Sequence, residues 1–274
     1  SFFDGFGKPQ ELVEIARELG YKALGTSNHG NISGLIQHWL ACRDAGIKPI
    51  LGCEIYFQPV YNKENPKRKS YHLNLFVKNL KGYENLCHIM TEANTQQFYY
   101  KPIVDFKLLE KYSEGLICTT ACIASATSQA IVNNNEKMAV KILEKFKSIF
   151  GKDLYVEIQP YKIDTKHTQE KTDLVLMRLA GALNIKCILT SDSHFGRKED
   201  FDTYCKMHEI GKTTLDVKRT YGERYMPSEK EIKKRFVKIY NKALSGEAEN
   251  IATEYINNMD EIYNKVESDI LEGC

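Results

Sequence analysis

Short apolar segments alternate with amphipathic segments over roughly the first 200 residues, and this alternation restricts the folds that the chain can adopt. Residues 9–19 carry apolar side chains at helical spacing, with Pro9 suited to a first turn and Gly20 to a helix end. Residues 48–57 are largely apolar and predict a buried strand. Strands that alternate with helices imply right-handed crossovers, so the pattern predicts a parallel sheet, either open or closed into a barrel.

The apolar strands end near residue 200, and two polar-faced helices are predicted at 228–244 and 247–266. We therefore predict a barrel over residues 1–212 and a helical extension over residues 213–274. These polar-faced helices would pack either on a partner or on sequence outside this chain.

Composition excludes several classes of protein. A hydrophobic content of 42% and a charged content of 27% are typical of a folded soluble chain. No apolar run approaches the ~20 residues needed to cross a bilayer, so no membrane partner is expected. The eight cysteines accompany no secretory signal, which favours a reducing, cytoplasmic location. The net charge of +2 means that any nucleic-acid contact depends on local patches, and the loop-like start at Ser1 indicates a fragment or a processed chain.

Side chains that bind metals follow several of the predicted strands. They are His29, Glu54, Cys122, Asp192 and His194, while His72 opens a strand instead. The carboxyl ends of the strands in a parallel barrel converge on one face, so these residues would share a pocket. Imidazole, thiolate and carboxylate together suit zinc or another first-row divalent ion. Two or more such ions would support hydrolysis of a phosphodiester or a phosphomonoester.

Each candidate also has a purely structural interpretation. His72 fits a half-buried strand histidine, and Cys122 fits a small buried apolar residue. The segment 191–194 fits a turn in which Asp192 caps the next segment. Glu54 is harder to explain structurally, because a carboxylate after an apolar run needs a partner. The remaining histidines are interpreted as structural or surface residues: His38, His88, His167 and His208.

Six segments in order resemble one family over nearly the whole chain. They are 1–5 (SFFDG), 28–31 (NHGN), 45–57 (AGIKPILGCEIYF), 71–86 (YHLNLFVKNLKGYENL), 99–117 (YYKPIVDFKLLEKYSEGLI) and 190–200 (TSDSHFGRKED). These segments resemble the PHP (polymerase and histidinol phosphatase) family, in the branch that forms the N-terminal domain of bacterial DNA polymerase III alpha subunits. Residues 222–232 (GERYMPSEKEI) resemble the segment that leads towards the polymerase core.

This resemblance implies an α/β fold, a distorted seven-stranded β/α (TIM-like) barrel with its first strand truncated and a C-terminal helical extension. It also implies up to three divalent ions at one mouth, Zn or Mn, with Fe or Mg as alternatives. The resemblance assigns Asp4, His29 and His194 to one ion, Glu54, His72 and Cys122 to a second, and Glu54 with Asp192 to a third. Glu54 would bridge two ions, and Glu54, Asp192 and His194 would be the catalytic residues.

The chain departs from the family pattern in two places. A His-x-His pair that completes the third site in the family lies upstream of the S-x-x-D-G segment and is absent from this sequence. Asn28 stands where the family usually has Asp, which would loosen His29 at a typical cost of ~10–100-fold in metal affinity or activity. Either the full protein supplies the missing pair, or the site is weakened.

Candidate substrate contacts follow from charge and aromatic content. Arg197 and Lys198 come shortly after His194 and would pair with phosphate. Tyr100 and Lys101 combine an aromatic ring with a positive charge, as surfaces that bind single strands do. The alternative for Tyr100, and for Tyr99 before it, is packing at the rim of the barrel.

The resemblance implies part of a replicative DNA-directed DNA polymerase, with metal-dependent 3′–5′ exonuclease activity in its complete form. The expected partners are a single-stranded DNA 3′ end, the remainder of the polymerase alpha subunit and other replisome subunits. One alternative is a catalytically silent metal-binding scaffold that stabilises the polymerase. A free-standing phosphatase for a small ester is a second alternative, against which segment 99–117 and the C-terminal helices argue.

Overall fold

A single mixed sheet lies at the centre of the fold in the computed structural model, which describes residues 4–67, 69–161, 169–211 and 222–272. The strands are β1 (Ala23–His29), β2 (Lys48–Phe57), β3 (Tyr71–Val77), β4 (Phe98–Tyr99), β5 (Lys101–Val104), β6 (Leu116–Thr119), β7 (Leu154–Ile158) and β8 (Lys186–Leu189). Their order in the sheet is β4-β5-β2-β3-β6-β7-β8, with β1 paired to β2. The sheet curls into a half-barrel, and the α/β class with a helical C-terminal region is confirmed.

Helices follow most of the strands. They are α1 (Pro9–Glu18), α2 (Leu35–Asp44), α3 (Leu80–Thr95), α4 (Phe106–Tyr112), α5 (Ala126–Val132), α6 (Glu136–Phe150), α7 (Gln169–Ala182), α8 (Phe201–Ile210), α9 (Glu229–Tyr240) and α10 (Ala248–Lys265). Local sequence explains several starting points, because a polar side chain accepts an otherwise unused backbone N–H in the first turn. These capping residues are Asn79, Asp105, Ser125, Asn135 and Ser228.

The expectation of an all-parallel sheet is wrong at β3, and also at β4, which pairs antiparallel with β5. The β3 strand pairs antiparallel with both β2 and β6, whereas the β1–β2, β6–β7 and β7–β8 pairs are parallel. A parallel pair needs a long crossover, usually helical, and the described part of the connection 58–70 contains no helix. The start of β3 therefore lies at the same end of the sheet as the last residues of β2 and β6.

The C-terminal helices pack on this chain's own core, so the expectation that they pack on a partner or on sequence outside this chain is wrong. Phe236 of α9 is fully buried in the same apolar cluster as the strands. The Asn258 side chain of α10 donates to the backbone oxygen of Cys187 at 2.8 Å, and Lys48 of β2 donates to the backbone oxygen of Val266 at 2.9 Å. The helices thus cover the sheet, and the predicted boundary at 212/213 falls in 212–221, outside the described residues.

Two further findings concern the chemistry of the chain as a whole. No helix in the described ranges combines the length and apolar character needed to cross a bilayer. None of the seven cysteines that these ranges include is in a disulfide.

Asp173 of α7 connects the C-terminal helices to the rest of the fold. Its buried carboxyl group is expected to make the free energy of unfolding depend on pH. Its fully buried carboxyl accepts hydrogen bonds from Tyr240 (2.5 Å) and Gln169 (2.8 Å), and burial raises its pKa to about 8. The folded state therefore keeps a proton on Asp173 that the unfolded chain releases above about pH 4. This proton contributes fully to the free energy of unfolding below about pH 4. Between about pH 4 and pH 8 the free energy of unfolding falls by up to about 1.4 kcal/mol for each pH unit.

The measurement is urea unfolding of wild type and Asp173→Asn between pH 5 and pH 8. We expect the variant to gain stability relative to wild type as the pH rises, because Asn carries no titratable proton. Asp44→Asn serves as the control, since the Asp44 side chain is 68% exposed. A difference between Asp173→Asn and wild type that stays constant with pH would contradict the assignment.

Candidate metal centre

Strand register brings three of the predicted ligands together. The β1–β2 pairing sets His29 opposite Glu54, and the β2–β3 pairing sets Tyr56 opposite His72. Residues two apart on a strand share a face, so Glu54 and Tyr56 point to the same side. The antiparallel direction of β3 is what places His72, near the start of its strand, beside Glu54 near the end of β2.

His29, Glu54 and His72 form a cluster whose candidate ligand atoms all lie within 4.8 Å of one another. The Nδ1 atom of His29 is 3.7 Å from Oε1 of Glu54, and Nδ1 of His72 is in direct contact with the same oxygen. This oxygen is buried, and no donor with hydrogen-bond geometry reaches it from the described residues. Two imidazole nitrogens and an unsatisfied carboxylate oxygen that converge in this way fit a divalent cation.

Cys122 lies beside this cluster. Its Sγ atom is 3.4 Å from Nδ1 of His72. The loop after β6 is held there because the backbone N–H of His72 donates to the carbonyl of Ala124 at 3.2 Å, next to a short bridge between His72 and Ser125. The thiol can therefore join the same set of donors as His72.

Asp4 and His194 flank the opposite side of His29. Asp4 Oδ2 is 3.4 Å from His29 Nε2, and Asp4 Oδ1 is 3.9 Å from His194 Nε2. Two hydrogen bonds fix the N-terminal segment: Phe6 N donates to the His194 carbonyl at 2.7 Å, and the Tyr204 hydroxyl donates to the Asp4 carbonyl at 2.9 Å. The fold thus brings six of the predicted ligands together, and the seventh, Asp192, lies beside His194.

Burial controls the protonation of the cluster. It lowers the pKa of His29 and His194, and it lowers the pKa of His72 to about 4 with a further contribution from Lys101. The imidazoles are therefore neutral near pH 7, which is the form that binds metals. Burial also raises the pKa of Glu54 to about 7, so a nearby cation would favour its ionised form.

Among the candidate ligands, the Cys122 thiol is the one whose protonation state depends most on a bound cation. Burial, followed by the charge of Glu54, raises the pKa of this thiol to about 12. Only the thiolate is a good ligand, and a bound cation stabilises the thiolate strongly. Cys122 is therefore expected to be a protonated thiol in the metal-free chain and to lose its proton when a cation binds.

Asp192 differs from the other predicted ligands because a protein cation already contacts it. The Arg224 guanidinium forms an ion pair with Oδ2 of Asp192, and the Arg224 side chain is only 6% exposed. The Nδ1 atom of His194 forms a hydrogen bond with the backbone carbonyl oxygen of Asp192 at 2.8 Å. The same Nδ1 atom is 3.9 Å from the carboxylate oxygen Oδ1 of Asp192. Arg224 was not predicted from the sequence, since 32 residues separate it from its partner.

Glu157 on β7 is a second residue that the sequence analysis missed. Its buried carboxylate accepts hydrogen bonds from Asn74 (2.7 Å) and Thr190 (2.7 Å) and contacts the Thr119 hydroxyl. Asn74 is the register partner of Glu54, so this network lies next to the cluster. A carboxylate inside the apolar segment LYVEI was the available signal, the same one that identified Glu54.

The predicted substrate residues separate into two groups. Lys101 Nζ lies 4.0 Å from the ring centroid of Tyr56, and the Tyr56 ring stacks on His29 at 6.0 Å, so Lys101 lies at the rim of the centre. Tyr100 is 62% exposed, and its ring centroid lies 4.7 Å from that of Tyr99 in an edge-on contact, so part of the Tyr100 ring is open to solvent.

Arg197 and Lys198 belong to the second group. The Arg197 guanidinium pairs with Glu18 of α1 at 2.6 Å, and its backbone N–H donates to Asp200 at 2.7 Å. Lys198 begins the 3₁₀ turn Lys198–Asp200. A phosphate contact by Arg197 would require exchange of its pairing with Glu18.

Sequence similarity relates this chain to one known family. The PHP domain family matches residues 1–161. The DNA polymerase III subunit alpha of Aquifex aeolicus is 40% identical over 209 residues, covering 73% of this chain and 18% of that protein. Its counterpart in Helicobacter pylori is 32% identical over 263 residues, covering 87% of this chain and 21% of that protein. The chain thus spans about a fifth of the length of these relatives.

Among solved structures, an amidohydrolase from Chromobacterium violaceum aligns with a TM-score of 0.44 at 11% identity, over 70% of this chain and 84% of that chain. A two-domain protein from Bacteroides vulgatus, described as containing a predicted PHP-like metal-dependent phosphoesterase, aligns with a TM-score of 0.42 at 15% identity. That alignment covers 77% of this chain and 53% of the other.

Proposed function

Because this chain belongs to the PHP domain family, we propose that it is the N-terminal domain of a replicative DNA polymerase III alpha subunit, with metal-dependent 3′–5′ exonuclease activity in its complete form. The observation that carries the proposal is the convergence of His29 and His72 on the buried, unsatisfied oxygen of Glu54. Family membership alone leaves open whether the centre is retained, and this geometry favours retention.

The residues would divide between ions as the family resemblance implies. Asp4, His29 and His194 would hold one ion, and Glu54, His72 and Cys122 would hold another, with Zn or Mn as the candidates. When bound, such ions supply Lewis acidity towards a phosphate ester. The chain's own contribution is a set of neutral imidazoles and a carboxylate, Glu54, held ready in a largely buried mouth.

The β4–β5 hairpin would hold the DNA strand. Lys101 offers its ammonium group at the rim, where a backbone phosphate would pair with it. Tyr100 presents an exposed ring beside it, and exposed aromatic rings bind single strands by stacking on bases. The 3′-terminal nucleotide would then lie between this hairpin and the cluster around Glu54.

A silent scaffold is the second candidate, and one observation favours it. Asp192, a predicted catalytic residue, is paired with Arg224. Such a pairing is compatible with a centre that binds metal for stability alone.

The experiment uses a 5′-labelled single-stranded DNA with the 274-residue chain in Mn²⁺, in Zn²⁺ and in EDTA. Metal-dependent shortening from the 3′ end is the expected result. A metal-dependent rise in Tm without shortening would favour the scaffold. Turnover of a small phosphate monoester without DNA cleavage would instead favour a free-standing phosphatase.

Removal of the Tyr100 ring tests the proposed strand contact. We expect Tyr100→Ala to weaken binding of a fluorescent single-stranded oligonucleotide about 10-fold, since stacking contributes ~1–3 kcal/mol per base. The measurement is fluorescence anisotropy at fixed salt. Met138→Ala, which removes a 46% exposed apolar side chain on α6, is the control. Equal affinities for the two variants would remove Tyr100 from the interface.

A further inference from the structure

We propose that the Arg224 guanidinium takes the place of an ion beside Asp192, so that a fixed protein charge completes the metal centre on that side. This inference rests on the proposed function, since it concerns the same centre. It departs from the three-ion arrangement that the family resemblance implies.

The side-chain contacts hold the guanidinium from two directions. One edge is directed to the Asp192 carboxylate, and Nη1 donates to Oδ2 in direct contact. The guanidinium carbon also lies 3.9 Å from the ring centroid of Tyr161, whose side chain is itself buried. Arg224 is 5% exposed, so it differs from the long, solvated arginines that form weak surface pairs.

The backbone delivers Arg224 to this position. Its carbonyl accepts the N–H of His194 at 2.7 Å, and Phe195 forms a parallel bridge with Tyr225. The N–H of Met226 donates to Gly196 at 3.1 Å. The segment 224–226 thus runs alongside 194–196 like a short strand, which ties the guanidinium to the loop that carries Asp192.

Charge balance explains why the Arg224 guanidinium and a divalent metal ion cannot both bind the Asp192 carboxylate. A largely buried carboxylate needs a counter-charge, and Arg224 already supplies one to Asp192. An ion bound by the same carboxylate would lie next to the guanidinium and would be repelled by it at short range. Asp192 is therefore assigned to Arg224, and the ions are assigned to the donors around Glu54.

The test counts Mn²⁺ ions per chain by isothermal titration and by elemental analysis of the gel-filtered complex. We expect Arg224→Gln to bind one further ion per chain at saturating Mn²⁺, held by Asp192 and Glu54 and therefore weakly because the His-x-His pair is absent, and we expect Arg224→Lys to keep the wild-type count. Arg235→Gln is the matched control, because Arg235 also pairs with a carboxylate (Glu231, 3.1 Å) and lies 4.6 Å from a tyrosine ring (Tyr225). An unchanged count in a folded Arg224→Gln chain would overturn the proposal.

Asp192→Asn provides a second arm that does not depend on the stability of the Arg224 variants. We expect this variant to bind as many Mn²⁺ ions as wild type, because Asp192 pairs with Arg224. Loss of one ion in Asp192→Asn would overturn the proposal and leave the proposed function intact. A wild-type chain that binds no Mn²⁺ or Zn²⁺ would instead count against the proposed function.

Discussion

Replacement of Glu54 by Gln is expected to abolish 3′-end cleavage of single-stranded DNA and to weaken Mn²⁺ binding by about 100-fold or more. The carboxylate lies between His29 and His72 and supplies the negative charge of the cluster. Gln keeps the shape of the side chain but removes this charge and one oxygen donor. Hard divalent cations gain much of their binding energy from such an anionic ligand.

The same variant separates a loss of metal from a loss of folding. Burial raises the pKa of Glu54, so a neutral Gln is expected to leave the metal-free chain as stable as wild type or more stable. The measurements are cleavage rate, Mn²⁺ titration and urea unfolding in EDTA. Glu64→Gln, in an exposed loop, is the control for a change of charge alone. Cleavage that persists unchanged in Glu54→Gln would show that Glu54 is not a metal ligand.

Gly82→Ala is expected to destabilise the fold by about 3 kcal/mol or more, a larger stability effect than that of any other substitution proposed for this chain. Gly82 lies in the first turn of α3, where its N–H donates to the capping side chain of Asn79 at 3.0 Å. A Cβ atom on Gly82 would lie 1.9 Å from the carbonyl oxygen of Gly115. This obstacle is backbone, and Gly115 has φ +75°, so neither segment can move aside without disturbing α3 or β6.

Gly181→Ala is the matched control for this substitution. Gly181 lies inside α7, and nothing is found within 4 Å of a Cβ atom built there. Alanine is therefore expected to stabilise α7 by about 0.5–1 kcal/mol, the usual helical preference over glycine. Urea unfolding of both variants in EDTA gives the comparison. If Gly82→Ala were as stable as Gly181→Ala, the close approach of α3 to residue 115 would be wrong.

The helices and strands were predictable where periodicity was strong. Residues 9–19 and 48–57 form α1 and β2 nearly as expected, because amphipathic spacing and an apolar run are local signals. Strand direction is not local, and so the antiparallel β3 was missed. The absence of a helical pattern between β2 and β3 was the available indication, because a parallel pair needs a crossover.

The candidate site was predictable in part. Residue types at strand ends identified Glu54 and His29, and the resemblance added Asp4. The pairing of Asp192 with Arg224 was beyond sequence reasoning, because it depends on how residues 224–226 lie against residues 194–196. The sequence around an arginine in a polar segment does not indicate that the side chain is buried. A carboxylate within an apolar strand, in contrast, is predicted to be buried from its neighbours.

Anomalous X-ray scattering at the Zn and Mn absorption edges tests the central claim most directly. Crystals of the chain grown with each ion are predicted to show a peak within ligand distance of His29, Glu54 and His72. The corresponding peak is predicted to be absent in Glu54→Gln at the same ion concentration. Crystals with saturating ion that show no peak at these three side chains, or a peak only elsewhere, would contradict the account.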